Sequence, residues 1–571
     1  MRPDVPAIDR ELDYAVPDAW QADGRGAELR VGSIVRMRLH GRRVRGWVTD
    51  LDPDPPPGIE LQPLAKLTGR GPSAALVELA RWAAWRWAGP MVAFLRAASP
   101  PRVVRSLPAA PRSVAPVPSV HDELVREALA RPRSVLRLPP GADTLPVALA
   151  ASALGHALVL SPAHAAGALL AVKLRRAGVP VAAMPDQWAA AAAGATVVGS
   201  RAAAWAPVRD LAAVVVLDEH DEAYQEERAP TWHARDVAIE RADRAGVPCV
   251  LVSPAPTLEA LGWGALLTPS RSDERAGWPV VDVVDRRSDE PGRVGLYSPR
   301  VVQALRRPGR VLCVLNRKGR SRLLACGSCG ELARCVRCGS AVAQTAEGVL
   351  RCRRCGAERP PACAACGAEA LKNLRVGVTR AREELAALLG EPVGEVTAET
   401  EQLPEERVWV GTEALLHRAP EAEVVIFLDV DQELMAPRYR TSERAFSLLV
   451  RAARLVGGRD RGGRLVLQTR LPRHEVIQAA LHADPGRLSA AEHERRSELR
   501  YPPAVAMATV SGAAAEAFME RLGSPLGIER LGPSDGRWLL RAPDHAALAD
   551  ALAATERPPG RLRIEVDPLG V

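Results

Sequence analysis

Eight of the chain's 10 cysteines fall between Cys326 and Cys366, as four Cys-x-x-Cys pairs. The spacing is Cys326-x2-Cys329, five residues, Cys335-x2-Cys338, thirteen residues, Cys352-x2-Cys355, seven residues, Cys363-x2-Cys366. Each pair can present two thiolates to one ion, and structural zinc takes four thiolate or imidazole ligands in a tetrahedron. The four pairs predict two closed zinc sites with no open position for catalysis. A glycine follows each second cysteine, where the chain must turn sharply past the ligand. The thirteen-residue gap suits a ribbon hairpin. It favours a nested pairing, with Cys335, Cys338, Cys352 and Cys355 on one ion and Cys326, Cys329, Cys363 and Cys366 on the other. Sequential pairing is the alternative. Cys249 and Cys313 sit in apolar strand-like runs and are expected in the core.

Two further groups of residues could do chemistry. AVVVLDEHDEAY (213–224) is an apolar strand ending in Asp218-Glu219. In nucleotide hydrolases a carboxylate at such a strand end holds Mg²⁺ and the next can orient the attacking water. A solvated loop is an equally common use of acids after a strand. Near the N-terminus, Val35, Met37 and Leu39 alternate with Arg36, Arg38 and His40, the period of a half-buried strand. A turn at Gly41-Arg42-Arg43 and a second alternation over 44–48 complete a hairpin. Arg36, Arg38, Arg42, Arg43 and Arg45 are placed to meet phosphates, with Trp47 to stack a base. A solvated arginine face is the plainer reading.

The elements that must position these groups are spread over 571 residues, enough for three or four domains. The net charge of +8 permits an acidic partner without requiring one. The start is polar and no run of about 18 apolar residues occurs, which reads as a cytoplasmic protein with no membrane partner. Disulfides are disfavoured there, so clustered cysteines read as metal ligands. An apolar helix is predicted over 74–87, with Trp82 and Trp85 spaced like core residues. The Pro-rich stretch SPPRVVRSLPAAPRSVAPVPS (99–119) marks a domain boundary. Beyond it, helical patterns alternate with short apolar runs at 157–161, 195–199, 213–219 and 248–253. A second such unit begins near Val280 and resumes at 407–411, 424–430 and 464–469. This alternation predicts parallel sheets covered on both faces. The last hundred residues read as α+β.

DEHDEAYQEERAPTWHARDVAIERA (218–242) resembles the DEAH-box region of the primosomal protein N-prime (PriA) family of replication-restart helicases. VVGSRAAAWAPVRDL (197–211), LVSPAPTLEA (251–260), VLNRKGRSRLLACGSCG (314–330) and FLDVDQELMAPRYRTSERAFSLLVRAAR (427–454) resemble its other motifs. PAIDRELDYAVP and IEVDPLG look like its termini. The resemblance implies a multidomain α/β protein with two RecA-like helicase-type lobes. The expected division is a 3′-DNA-end-binding-like α+β domain (1–105), a Pro-rich linker (106–120), lobe one with a degenerate Walker A loop (121–272) and lobe two (273–325 and 367–472). A double zinc-binding, zinc-ribbon insert (326–366) and a C-terminal α+β domain (473–571) complete it. The space for the family's winged-helix domain holds only the linker.

The sequence departs from the family where nucleotide should bind. VLRLPPGADTLPVALA (135–150) keeps only Gly141 of the glycine-rich loop, and Thr144 stands where the phosphate-binding lysine belongs. Pro139, Pro140 and Pro146 lack the N–H groups such a loop needs. The chain has only four lysines, Lys66, Lys173, Lys318 and Lys372, and none is followed by Ser or Thr. Where the family carries arginines for the γ-phosphate, this chain has Leu455 and Gly458, with Arg454 close enough to stand in. Asp218 and Glu219 are then vestigial, and ATP with Mg²⁺ is a doubtful cofactor. Two zinc ions are the expected ones.

The family's 3′-end pocket maps onto Asp13 of Leu12-Asp13-Tyr14 and onto Gly41. Leu12 replaces a phenylalanine and Gln62 a lysine. The expected function is a DNA-binding primosome protein that recognises stalled or branched forks and helps recruit the replication machinery, without helicase activity. Its expected partners are forked DNA and replicative-helicase-loading proteins, with single-stranded-DNA-binding protein a further candidate. The alternatives are an active ATP-dependent 3′→5′ helicase of the same pathway, and a zinc-containing scaffold without DNA binding. A zinc-ribbon RNA-binding protein is a remote fourth.

Overall fold

The computed structural model describes all residues except 55–57, 59, 112–121, 288–294, 317–323, 346–347, 353, 374–377 and 571. Most of the Pro-rich linker, and the stretch leading into the cysteine insert, lie outside the described residues. Among the described residues no helix is long and apolar enough to cross a membrane.

The N-terminal unit is a four-stranded antiparallel sheet in the order 2–3, 42–47, 34–39, 66–69. The central hairpin forms, but its turn is the pair His40-Gly41, with φ of 46° and 77°. Two consecutive positive φ values suit a tight hairpin, and glycine tolerates the second at no steric cost. Arg42 and Arg43, expected in the turn, belong to the second strand. Helices Ala74–Arg86 and Met91–Ala98 pack on one face of the sheet. Trp82 and Trp85 are only half-buried; the core tryptophan is Trp87, with no exposed surface. An aromatic chain runs from Trp87 through Phe94 (6.3 Å) and Trp205 (5.5 Å) to Trp232 (5.8 Å), tying this unit to the next.

Lobe one is a seven-stranded sheet in the order 265–267, 133–137, 249–253, 211–217, 156–160, 196–199, 181–183, every neighbour parallel. Its strands are buried on both sides. Val214 and Val216 join one apolar cluster, while Ala213, Val215 and Leu217 join the other. That double burial is why the strands read as continuous apolar runs. Lobe two is a six-stranded parallel sheet in the order 280–285, 464–469, 424–427, 311–314, 408–411, 393–396. Cys249 and Cys313 are buried core residues, as expected.

The C-terminal sheet is antiparallel, in the order 529–534, 537–542, 506–511, 563–566. The helix Glu475–His482 does not belong with it. Val476, Ile477, Ala479 and Ala480 are buried in the lobe-two cluster. The lobe-two cluster continues past 473, through this helix to Leu488 of the helix Pro485–Leu499, because their apolar faces cover lobe two.

Candidate metal centres, lobe seam and N-terminal basic face

The cysteine insert is built from four copies of one turn. The amide of Cys326 bonds to the carbonyl of Glu331, that of Cys335 to Ser340, that of Cys352 to Ala357 and that of Cys363 to Ala368, at 2.8–2.9 Å. The glycines after the second cysteines, Gly330, Gly339, Gly356 and Gly367, have φ between 71° and 74–75° and close each turn. Antiparallel strands Val342–Gln344 and Leu350–Cys352 form the ribbon between the inner pairs. The eight thiols converge as two tetrads, Cys326/Cys329/Cys363/Cys366 and Cys335/Cys338/Cys352/Cys355, with all ligand atoms of each within 4.8 Å of one another. This is the nested arrangement. Sulfur pairs lie 3.5–3.6 Å apart. Tetrahedral zinc, with Zn–S bonds of roughly 2.3 Å, requires about 3.8 Å. Both tetrads can hold a metal ion, and four thiolates in a tetrahedron fit zinc. Burial opposes the Cys326 thiolate, but the backbone N–H groups of Cys329 and Ser328 bring this thiol down to about 6, while Cys329 in the same tetrad is pushed up to about 12.

Between the lobes, the carboxylates expected to serve Mg²⁺ and water are already occupied. Strand Leu211–Leu217 ends at Asp218, which adopts a left-handed conformation with φ 53°. Arg454, on the lobe-two helix Thr441–Val456, donates both terminal nitrogens to Asp218, one at 2.6 Å, and its Nε to the carbonyl of Pro140 at 2.9 Å. Burial opposes the Asp218 charge, but Arg454 outweighs it and holds the carboxyl below its ordinary range. Arg451 donates to Asp221 at 2.6 Å and Arg444 to Glu222 at 3.0 Å. Glu219 is buried. It accepts from the Thr257 amide (2.7 Å), the Thr257 hydroxyl (3.0 Å) and Arg235 (3.2 Å). Burial pushes its pKa up against the pull of those donors. Three donors and burial thus already engage this carboxylate.

The degenerate loop follows strand Arg133–Arg137 and precedes helix Leu145–Ala153. Thr144 caps that helix without a side-chain hydrogen bond. Gly141 has space around it, but its neighbours do not. A methyl group at Gly277 would lie 2.5 Å from Pro139 Cβ, and one at Gly458 would lie 2.6 Å from the Ala276 carbonyl. The interlobe connection and the chain after Arg454 are thus packed against this region. Arg454, the arginine placed to replace the γ-phosphate contacts, instead neutralises Asp218.

On the N-terminal sheet, register puts Arg36 opposite Arg45 and Arg38 opposite Arg43, all on one face. Arg42 pairs with Leu39 and falls on the other face. Arg36, Arg38 and Arg43 are exposed. Arg45 is partly spent on Asp4 at 2.8 Å. Lys66, outside the hairpin, lies opposite Arg36 and is exposed. Like charges directly across strands destabilise a sheet. Trp47 cannot stack a base. It has no exposed surface and donates Nε1 to the Ser99 hydroxyl at 2.8 Å, because the far end of the same sheet face is covered by the helix Met91–Ala98. Asp13 is half-buried beside Tyr14, whose hydroxyl donates to the Arg38 carbonyl at 2.6 Å. Gly41 sits exposed at the hairpin tip.

The C-terminal IEVDPLG segment joins the parts. Asp567 pairs with Arg86 at 2.7 Å and with His545 at 2.8 Å. Gln225 donates to the Asp567 carbonyl, Thr231 to that of Val566, and Tyr439 to that of Pro568.

Two parallel-sheet lobes meeting at an acidic strand end, with a metal-type insert in the second, define a helicase-type body. A family model described as a 3′DNA-binding domain matches residues 3–100, and one described as a primosomal protein N C-terminal domain matches residues 497–569. The probable replication restart protein PriA of Mycobacterium tuberculosis (strain CDC 1551 / Oshkosh) is 31% identical over 594 residues, covering 93% of this chain and 90% of that protein. Its counterpart from Mycobacterium leprae is 30% identical with the same coverage, 93% and 90%. The match to replication restart protein PriA of Bacillus subtilis, 28% identical, spans 55% of this chain but only 43% of that protein. Yeast Dbp5 bound to RNA and ADP BeF3 overlaps loosely, with a TM-score of 0.35 at 10% identity over 66% of this chain and 93% of that one, and carries no weight. The chain belongs to the PriA family of replication restart proteins.

Proposed function

We propose that this protein acts in replication restart as a DNA-binding, zinc-containing primosome component that works without ATP hydrolysis. It recognises stalled or branched forks through the N-terminal sheet and helps recruit the replicative-helicase-loading machinery in the cytoplasm. Single-stranded-DNA-binding protein is a further candidate partner. The observation that carries the absence of a motor is the Asp218–Arg454–Pro140 contact. A guanidinium stands where Mg²⁺ and phosphate would need room, beside a loop without lysine. Loss of the phosphate-binding lysine and of an arginine finger each removes transition-state stabilisation worth orders of magnitude in rate. Arg36, Arg38, Arg43 and Lys66, with Arg45 in part, are the DNA-contacting set, and Asp13 and Gly41 border them. The two tetrads hold zinc and brace the insert for partner docking.

The test is ATP binding and hydrolysis by full-length, metal-replete protein, with and without forked DNA. We expect fork binding and no DNA-stimulated turnover. Turnover that disappears in Glu219→Gln would restore the helicase reading, and absence of fork binding would leave the scaffold. In the same assay, replacing Arg36, Arg38 and Arg43 by Ala should reduce the salt slope of fork binding by about 2 to 3. An unchanged slope would move the DNA site elsewhere.

A further inference from the structure

Arg444, Arg451 and Arg454 lie on one stripe of helix Thr441–Val456, seven and three residues apart. Each bonds a carboxylate of the lobe-one segment Asp218–Glu222. The three contacts form a ladder between the two lobes, and Arg444 is steadied by Glu413 of its own lobe at 3.3 Å. A fourth rung lies beyond it, where Arg440 pairs with Glu259. Arg496, almost wholly buried, pairs with Glu443 at 2.6 Å and reaches Glu259 at 3.8 Å.

The seam also carries a bond from the Leu258 amide to Glu443 at 3.3 Å and the packing of Ala255 against the lobe-two core. A cavity of about 400 Å³ lies along the ladder, lined by Asp221, Glu222, Arg444 and Arg451 themselves and by His417 and Leu488 among others. Apolar packing across the lobes is thus incomplete at the very place the ion pairs cross. In a nucleotide-driven pair of lobes, the acidic strand end takes its countercharge from a metal ion that comes and goes with the nucleotide. Here a covalently attached guanidinium supplies it permanently. Asp218 is mostly shielded, with 18% of its side chain exposed, while Arg454 keeps 37% exposed, and the contact engages both carboxylate oxygens. A bidentate contact of this kind fixes geometry as well as distance.

We propose that this arginine ladder is a built-in latch that holds the two lobes closed without nucleotide. It rests on the reading that the loop over Pro139–Thr144 no longer takes ATP. Its consequence is architectural: with the lobes locked, the basic face of the N-terminal sheet and the metal insert of lobe two keep one fixed separation. A motor would vary that separation in every cycle. The latched protein acts as a ruler between a DNA junction and a docking module.

The experiment places a donor and an acceptor fluorophore, through non-natural residues, at the exposed positions Leu169 of lobe one and Leu388 of lobe two in the full chain. The wild-type protein should give one narrow transfer-efficiency distribution, unmoved by Mg-ATP. Arg451→Ala with Arg454→Ala should broaden it and shift it to lower efficiency. Arg451→Asp alone should do the same, and Asp221→Arg added to it should restore the narrow distribution. If the double alanine variant keeps the wild-type distribution, the latch is overturned. If Mg-ATP shifts the wild type, the nucleotide-free reading fails, while the variants still report on the latch. Zinc content and fork binding check that each variant is folded. Should the double variant aggregate, the milder Asp221→Asn decides by hydrogen exchange. Protection over 214–224 should fall roughly tenfold, and unchanged protection would overturn the proposal.

Discussion

The cysteine insert and the lobe seam treat their polar groups in opposite ways. In the insert, four repeated turns each close their backbone hydrogen bonds within themselves and leave eight sulfurs converging on two points. In the seam, Asp218, Asp221 and Glu222 each accept from an arginine of the same chain. Glu219 is closed off by Thr257 and Arg235. The contrast shows how to tell a site that awaits a ligand from one that the protein has filled. In the first, the strong groups point at each other's shared centre without pairing. In the second, each has a partner of opposite charge and the right geometry.

The sharpest way to break this comparison is to remove the metal. If the tetrads are zinc sites, purified protein should contain two zinc ions per chain, and Cys352→Ser should leave one. Structural zinc supplies on the order of 10 kcal/mol of apparent binding energy to its fold. Chelation should therefore unfold the insert and expose it to protease while the lobes stay intact. Metal analysis with limited proteolysis reads both. A protein that elutes metal-free yet resists cleavage in 324–373 would show that the turns need no ion.

The seam makes the next largest prediction. In a working hydrolase the second carboxylate of this motif is replaceable without harm to stability, since its role is in turnover. Here Glu219→Ala leaves the buried Arg235 guanidinium and the Thr257 amide without their acceptor. Breaking a buried pair from one side costs about 3–5 kcal/mol. Urea unfolding should show that loss, and Glu219→Gln should show clearly less because it keeps an acceptor. Equal stability of wild type and Glu219→Ala would mean the carboxylate is free for a ligand after all.

These two regions also differ in how far they could be read in the sequence. The cysteines are legible because ligand number and spacing are local, and the glycine after each pair states the turn. The parallel sheets are legible for a similar reason: strands such as Leu211–Leu217 and Cys249–Ser253 are buried on both faces and so are continuously apolar. Short edge strands such as Val181–Ala183 and Val393–Val396 carry too few residues to announce themselves. At the N-terminus, alternation grouped Arg36, Arg38, Arg43 and Arg45 with Trp47 but also Arg42, which the turn at His40-Gly41 places on the other face. It could not show that Met91–Ala98 covers one end of the Trp47 face, so the tryptophan is core and not a stacking platform. Lys66 was hidden because its neighbour Arg36 is brought opposite it only by strand pairing. Arg454 was visible as a substitute arginine, but its partner Asp218 lies 236 residues away. The pairing that decides its role exists only in the folded seam.

A smaller effect probes the scaffold that encloses Glu219. His233 caps the helix Ala234–Ala245, and its Nδ1 accepts from the Arg235 amide at 3.2 Å. Only the neutral ring can do this. Burial, with the neighbouring Arg235 charge adding to it, lowers the His233 pKa from 6.5 to about 3. The folded value lies below the unfolded one, so the unfolded chain takes up the proton first. This contribution to stability is complete above about pH 6.5 and is lost as pH falls towards 3, with a limiting slope of about 1.4 kcal/mol per pH unit. Asp431 and Glu433, each raised to about 7 chiefly by burial, act in the opposite sense over the same range. The informative quantity is therefore a difference. Asn caps a helix well and does not titrate. His233→Asn should therefore lose less stability than wild type between pH 7 and pH 5, measured by urea midpoints at each pH. Parallel curves for the two proteins would mean that the ring is reached by solvent, and that the wall around Glu219 is looser than the hydrogen bonds at Thr257 and Arg235 imply.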